Sequence, residues 1–304
     1  MFASRVLTVR LIAAGLLAAC AVPLIAGQDP PQQPTFRAAA QTVSIYATVT
    51  DPAGRLVPDL TQDDFEVFDD NRPQPITVFE NGVQPITVAI MRDMSGSMIP
   101  ARNLTDAAMK QFVASLIEGD RACYGVFAGS VAVNRKLTGD HDQLLQAISM
   151  PAPSFRDGTA LWDAVSIAMQ PLYHQPGRRV ILAMTDGGDN RSDTDLAKLE
   201  TVIVRDEFML YVVGLTTKPG AQEPPKDLRR AASVASNTGG GYFYVRPADD
   251  LVAAFQRISD ELHHQYLLGF SPAALDGKTH RIDVRMKRPD LKARARKSYL
   301  ATDK

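Results

Sequence analysis

The sequence predicts an α/β protein: a doubly wound, mostly parallel sheet, joined to a small antiparallel β-sandwich built from N- and C-terminal strands. Three observations carry this reading. Ile86–Arg92 is apolar or Thr at six of seven positions and stops at Asp93, the pattern of a strand covered on both faces. A second apolar run, Val180–Met184, ends in Thr185-Asp186-Gly187-Gly188, and helical patterns lie between and after the two runs. Towards both ends of the chain, apolar and polar residues alternate instead, as in half-buried strands.

With 304 residues the chain has room for about two domains and a sizeable core. Its apolar content of 45% is ordinary for a globular protein, and a net charge of −1 gives no general argument for nucleic acid. Residues 1–27 carry Arg5 and Arg10 and then small and aliphatic residues, which is the composition of a bacterial export signal. Cleavage is expected near Ala26–Gly27. The alternative is cleavage before Cys20, where Leu17-Ala18-Ala19-Cys20 looks like a lipoprotein box and would make Cys20 a lipid anchor. A retained membrane helix over Val6–Ala26 is the third option. With Cys20 removed or lipidated, Cys123 stands alone on an apolar strand, so no disulfide is expected in the mature fold.

Residues 28–40 are rich in Pro and Gln and read as a tether. An N-terminal β unit is expected over 41–83. Thr42–Thr50 alternates, Asp51-Pro52-Ala53-Gly54 makes a turn, and Phe65–Asp69 and Ile76–Glu80 are short strands separated by Asp70–Pro73. The α/β domain is expected over 84–264. After Asp93 a helix runs to Ile117. Arg121–Ala128 and Val131–Leu137 form a hairpin about Gly129-Ser130. Helices follow at Asp142–Ile148 and Leu161–Tyr173. Asp195–Arg205, Asp227–Ser236 and Asp249–His264 are further helices, the last with Leu251, Ala254, Phe255, Ile258 and Leu262 on one face. Phe208–Leu215 is a buried strand and Gly241–Val245 an edge strand.

Residues 265–304 carry three further strands, Tyr266–Phe270, His280–Lys287 and Ala293–Leu300. Three strands are marginal alone, so these are expected to pair with the N-terminal unit, leaving the α/β domain as an insertion. From Asp276 onward there are ten Lys or Arg against four Asp or Glu. The surplus suits either a solvated sheet face or a surface for anionic lipid or an acidic partner.

The chemistry is concentrated in the turn Asp93-Met94-Ser95-Gly96-Ser97. It lies beyond the carboxyl end of a parallel strand, where open α/β sheets bind ligands. Asp-x-Ser-x-Ser offers oxygens alone, the donors a hard cation takes. The same residues also suit a plain Ser-rich turn capping a helix. Taken with Gly158-Thr159-Ala160-Leu161 and Thr185-Asp186-Gly187-Gly188, the motif resembles the von Willebrand factor A domain and its metal-ion-dependent adhesion site, over about Gln84 to His264. That family is Rossmann-like in fold. The resemblance implies metal positions at Asp93, Ser95, Ser97, Thr159 and Asp186, with Mg²⁺ the expected ion and Mn²⁺ or Ca²⁺ as alternatives. It also implies a protein ligand whose Asp or Glu completes the metal shell. The pattern from Asp51 to Val67 further resembles the N-terminal part of a bacterial exported family with related A domains.

One residue departs from the family pattern. Arg92 stands where an apolar residue is usual; it either turns away and pairs locally or weakens cation binding by repulsion. Asp157 is a candidate water-mediated ligand. Asp189 and Asn190 suit a second ion or a plain turn, and Trp162 either lines the site or packs in the core. The five His, at 141, 174, 263, 264 and 280, have no metal-ligand spacing.

The expected function is therefore an exported, cation-dependent protein-binding module without catalysis, in the periplasm, secreted, or lipid-anchored through Cys20. Two alternatives are a metal-dependent phosphohydrolase on a similar sheet and a structural A domain with a vestigial metal site. The first would use an acid two residues after Asp93, where Ser95 stands, and a nearby Lys, of which the closest is Lys110 inside a helix.

Overall fold

A computed structural model describes residues 42–151, 153–216, 223–246 and 249–302. The expected leader, the tether and Cys20 lie outside the described residues. In chain order the strands are β1 (Val43–Thr50), β2 (Phe65–Asp69), β3 (Arg72–Gln74), β4 (Val78–Glu80), β5 (Ile86–Asp93), β6 (Arg121–Phe127), β7 (Val131–Val133), β8 (Arg178–Thr185), β9 (Phe208–Leu215), β10 (Tyr242–Val245), β11 (Tyr266–Phe270), β12 (Thr279–Met286), β13 (Lys292–Arg294) and β14 (Ser298–Leu300). The helices are α1 (Arg102–Ala114), α2 (His141–Ser149), α3 (Leu161–Ala168), α4 (Leu196–Arg205), α5 (Lys226–Asn237) and α6 (Leu251–His263). Among the described residues no helix is long and apolar enough to cross a membrane.

The central sheet has the order β10-β9-β8-β5-β6-β7, parallel except for β7 against β6. Every residue of β5 is buried, because helices cover both sides. Val88 and Ile90 pack with α1 and α6 through Phe112, Phe255 and Ile258. Ala89 and Met91 point the other way, into Trp162, Ile203 and Val234 of α3, α4 and α5. This is the period-two reading of a doubly covered strand. Trp162 is thus a core residue, 6% exposed. Aspartates start three of the helices: Asp140 accepts from Gln143, Asp195 from Ala197 and Lys198, and Asp250 from Ala253.

N- and C-terminal strands share two antiparallel sheets, β13-β1-β11-β4 and β14-β12-β2-β3. Val43–Ala47 pair with β11, Thr48–Thr50 with β13, and β2 with β12. The inward faces meet in one apolar core that includes Ile45, Val67, Leu268, Phe270 and Ile282.

Four local expectations change, the first being that the strand expected over Val131–Leu137 stops at Val133. Arg72–Gln74 is a strand rather than part of a turn; Asp70 and Asn71 take φ of 46° and 64° and close a tight hairpin, which leaves Pro73 on a strand that pairs on one side alone. The expected strand Ala293–Leu300 is split between the two sheets, because Arg296 and Lys297 cross to the end of α5, where Lys297 N donates to Asn237 O at 3.0 Å. The helix expected through Tyr173 ends at Ala168 and gives way to a single tighter turn carrying Pro171.

Buried polar groups fix the base of the α/β sheet, and one of them reaches in from the sandwich. Asp120 accepts from the amides of Ile86 and Ile117, both at 2.8 Å, and meets His263 Nε2 at 2.8 Å. Arg178, 2% exposed, donates to the carbonyls of Gln84 and Leu262. Arg294 pairs with Glu261 and reaches the Tyr211 hydroxyl at 3.2 Å.

Candidate metal site

β5 ends by delivering Asp93 into a buried turn. One oxygen, Oδ1, accepts from the Ser95 amide at 2.8 Å; the other, Oδ2, accepts from the Thr185 hydroxyl at 2.6 Å. Ser95 and Ser97 hydroxyls lie 3.2 Å apart. The structure thus brings Asp93, Ser95 and Ser97 together and ties them to the end of β8, where Asp186 follows Thr185.

The Thr159 loop is fixed from both sides. Met94 N donates to Phe127 O and Ala160 N to Ala128 O, both at 2.7 Å, so the end of β6 bridges the first turn and the Thr159 loop. From the β8 side, Asn190 Oδ1 accepts from Thr159 N at 2.9 Å and Asn190 N donates to Thr159 O at 3.0 Å. Asp189 Oδ1 accepts from Leu161 N at 2.9 Å and from the Ser192 hydroxyl at 2.6 Å. Asp189 and Asn190 are therefore engaged in clamping this loop.

Two glycines are required here. Gly158 has φ +101°, and a Cβ there would meet Arg191 at 2.5 Å. Gly187 has φ +98°, and its Cβ would meet Leu228 at 2.2 Å.

Asp93 is 1% exposed, and Thr159 and Ser95 are each 4% exposed. Burial pushes the Asp93 carboxyl up to about 6, against the pull of the Ser95 and Thr185 hydrogen bonds; the charge of Asp186 pushes the same way. Arg92 does not relieve it. That side chain turns to the other face of β5, where it pairs with Asp106 and donates to Arg102 O and Thr105 Oγ1, both at 3.0 Å. A buried carboxylate held by neutral donors, among further hydroxyls, is the donor chemistry that suits a hard cation. Beside the turn lies a cleft of about 530 Å³, lined in part by Ser95, Gly96, Arg102, Arg156 and Asp157.

Sequence reasoning missed Thr185, Asn190 and Ser192 as supports of this turn. The polar run Asp189-Asn190-Arg191-Ser192 directly after the glycines was the available signal. It also missed a second polar cluster, in the sandwich. There His280 Nδ1 lies 3.0 Å from Asp69 and 3.4 Å from Asp70, with Nε2 3.1 Å from Asp276.

Residues 88–188 match the model of the von Willebrand factor type A domain. No curated protein matches the chain. Among solved structures, a von Willebrand factor type A protein from Catenulispora acidiphila is 14% identical with a TM-score of 0.50, over 88% of this chain and 73% of that one. Proximal thread matrix protein 1 from the mussel byssus, with a zinc-occupied MIDAS motif, is 17% identical with a TM-score of 0.52, over 62% of this chain and 48% of that one. At these identities the likeness concerns the fold. The sheet order and the two helical layers agree with that matched segment, so residues 88–188 are similar to a von Willebrand factor type A domain in sequence and in fold.

Proposed function

We propose that this chain is an exported, non-catalytic binding module that holds a divalent cation at Asp93, Ser95, Ser97, Thr159 and Asp186 and captures a protein through that partner's Asp or Glu. Mg²⁺ is the expected ion, with Mn²⁺ or Ca²⁺ as alternatives. The observation that carries the reading is Asp93: a buried carboxylate whose hydrogen-bond donors are the neutral Ser95 amide and Thr185 hydroxyl. Zinc in the motif of the mussel protein supports a divalent ion as the class.

A bound ion would supply a Lewis-acidic anchor for the partner's carboxylate. This chain's residues do the rest. Thr185 and the Ser95 amide orient Asp93, and Asn190 holds the Thr159 backbone. Arg92, tied to Asp106, keeps its charge on the far side of β5. Arg102 and Arg156 line the adjoining cleft and favour an acidic partner segment. Export rests on Arg5, Arg10 and the apolar run after them, with Cys20 as the residue of a lipid-anchored form.

The test is a calorimetric titration with Mg²⁺ and Mn²⁺, followed by capture from envelope extract in Mg²⁺ against chelator. Saturable binding that Asp93→Ala abolishes, and capture lost in Ser95→Ala/Ser97→Ala, are the expected results. Absence of binding by the unaltered protein up to about 10 mM of either ion would sink the proposal.

A further inference from the structure

A second cavity, of about 360 Å³, lies at the base of the α/β sheet where it meets the sandwich. It is lined by the start of β8, the end of α4, the start of β9, the end of α5 and the segment leading into β14. Its described charged lining residues are three guanidinium groups, Arg178, Arg179 and Arg296, against the one carboxylate of Glu207.

The three arginines differ in how they are satisfied. Arg178 spends its terminal nitrogens on the carbonyls of Gln84 and Leu262 and lies over the Tyr46 ring, 5.2 Å from its centroid. Arg179 donates to Asp206 O and lies over Phe208 at 4.8 Å. All three leave Nε buried without a hydrogen-bond partner among the described residues, and Arg296 is the least satisfied of them. Its side chain is 10% exposed, and its Nη1 stands 3.0 Å from Glu207 Oε1. Its Nε and Nη2 are buried with no hydrogen-bond partner among the described residues. A guanidinium presents five donors in a fixed fork, and burying them unpaired is costly. Much of the remaining lining is apolar or aromatic and includes Tyr46, Ile203, Phe208 and Met209.

We propose that this cavity binds a small organic anion, a carboxylate or a phosphate ester with an aromatic or aliphatic body. Its charged head takes the unpaired donors of Arg296, with Arg179 beside it, and its body packs on Tyr46, Ile203 and Met209. Arginine suits either head because its fork matches two oxygens at once. Ser44 and Ser298 also line the cavity and supply neutral donors. The site is separate from the turn at Asp93, which sits at the opposite, carboxyl end of the parallel strands, whereas Arg178 and Arg179 begin β8.

The experiment is a calorimetric titration of the purified protein with phenyl phosphate, benzoate and the neutral benzyl alcohol. Saturable binding of at least one anion is expected, with benzyl alcohol about tenfold weaker or more. Preference for phenyl phosphate assigns a phosphate ester, and preference for benzoate a carboxylate. Arg296→Gln lowers anion affinity about tenfold, and Glu207→Gln, which removes the competing carboxylate, raises it severalfold. Ser95→Ala/Ser97→Ala leaves it unchanged. Should Arg296→Gln fail to fold, the direction of the Glu207→Gln change decides alone. No saturable anion binding up to about 10 mM, equal affinity for benzyl alcohol, or an unchanged affinity in Glu207→Gln overturns the proposal.

Discussion

Replacing Thr185 by Val tests the support behind Asp93 most directly. The residue is fully buried, and its hydroxyl does two things: it donates to Asp93 Oδ2 at 2.6 Å and accepts from Gly187 N at 3.0 Å. Valine keeps the shape and removes both. A hydrogen bond to a charged group is worth about 1.5–3 kcal/mol, and a buried amide left without a partner costs about 1–3 kcal/mol. The extra methyl returns about 0.8 kcal/mol. The net expectation is a loss of about 2–5 kcal/mol in chelator at pH 7.5. Trp162, the one tryptophan, is a buried core residue of α3 and reports the unfolding of this domain by fluorescence in urea. Thr185→Ser keeps the hydroxyl and should lose about 1 kcal/mol, the value of one methyl group. By the proposed metal set Thr185 stands directly behind a ligand, and losing such a support costs about 10–100-fold in metal affinity. A loss below about 1 kcal/mol for Thr185→Val, or equal losses for Val and Ser, would refute the reasoning.

Arg92→Met should cost about 1–3 kcal/mol, because the Asp106 pair and the bonds to Arg102 O and Thr105 go with it, while Mg²⁺ affinity stays within about twofold; a large gain in affinity would mean the guanidinium does repel the ion. Cys123 is buried and its thiol is pushed up to about 12 by desolvation, so a thiol reagent at pH 8 should react with it in urea and not in the folded protein; comparable rates in both would show that β6 opens readily. For His280, desolvation pulls its pKa down, but hydrogen bonds to Asp276 and Asp69 outweigh this and raise it above the ordinary value. A raised folded-state value means that its contribution is full below about 6.5 and is lost as pH rises through the folded value. His280→Gln should therefore destabilise more at pH 6 than at pH 8.5, measured by urea unfolding, and the reverse order would show the ring to be neutral in its cluster.

Much of the architecture is legible in the sequence where one short-range rule decides. β5 and β9 are continuous apolar runs because helices cover both faces, and nothing distant is needed to see them. The partnership of β1 with β11 follows from the instability of three strands alone. The misses share a cause: each depends on a partner far along the chain. Asn190 looks like a turn residue until its carbonyl oxygen is seen on the amide of Thr159, 31 positions earlier. Arg92 looks anomalous at the end of a buried strand until Asp106, on the helix above, is in view. His280 has no ligand-like spacing, and its neighbours Asp69 and Asp70 come from a strand end some 211 residues away. The break between β13 and β14 likewise depends on α5, whose last residues receive Lys297 and Arg296.

The pairing of β1 has a consequence for the order of folding. Its hydrogen-bonding partners are β11 and β13, so during synthesis Val43–Ala47 waits for Tyr266–Phe270 and Thr48–Thr50 for Lys292–Arg294. The α/β domain has no such wait: among the described residues its strands β5–β10 and helices α1–α6 lie between Ile86 and His263 and can close on themselves first. Non-local closure of this kind is slow, since loop entropy is spent before the contacts repay it. This topology lets the sandwich close only after its C-terminal strands are made, so a newly made chain holds its N-terminal strand edges uncovered for longer than those of the central sheet.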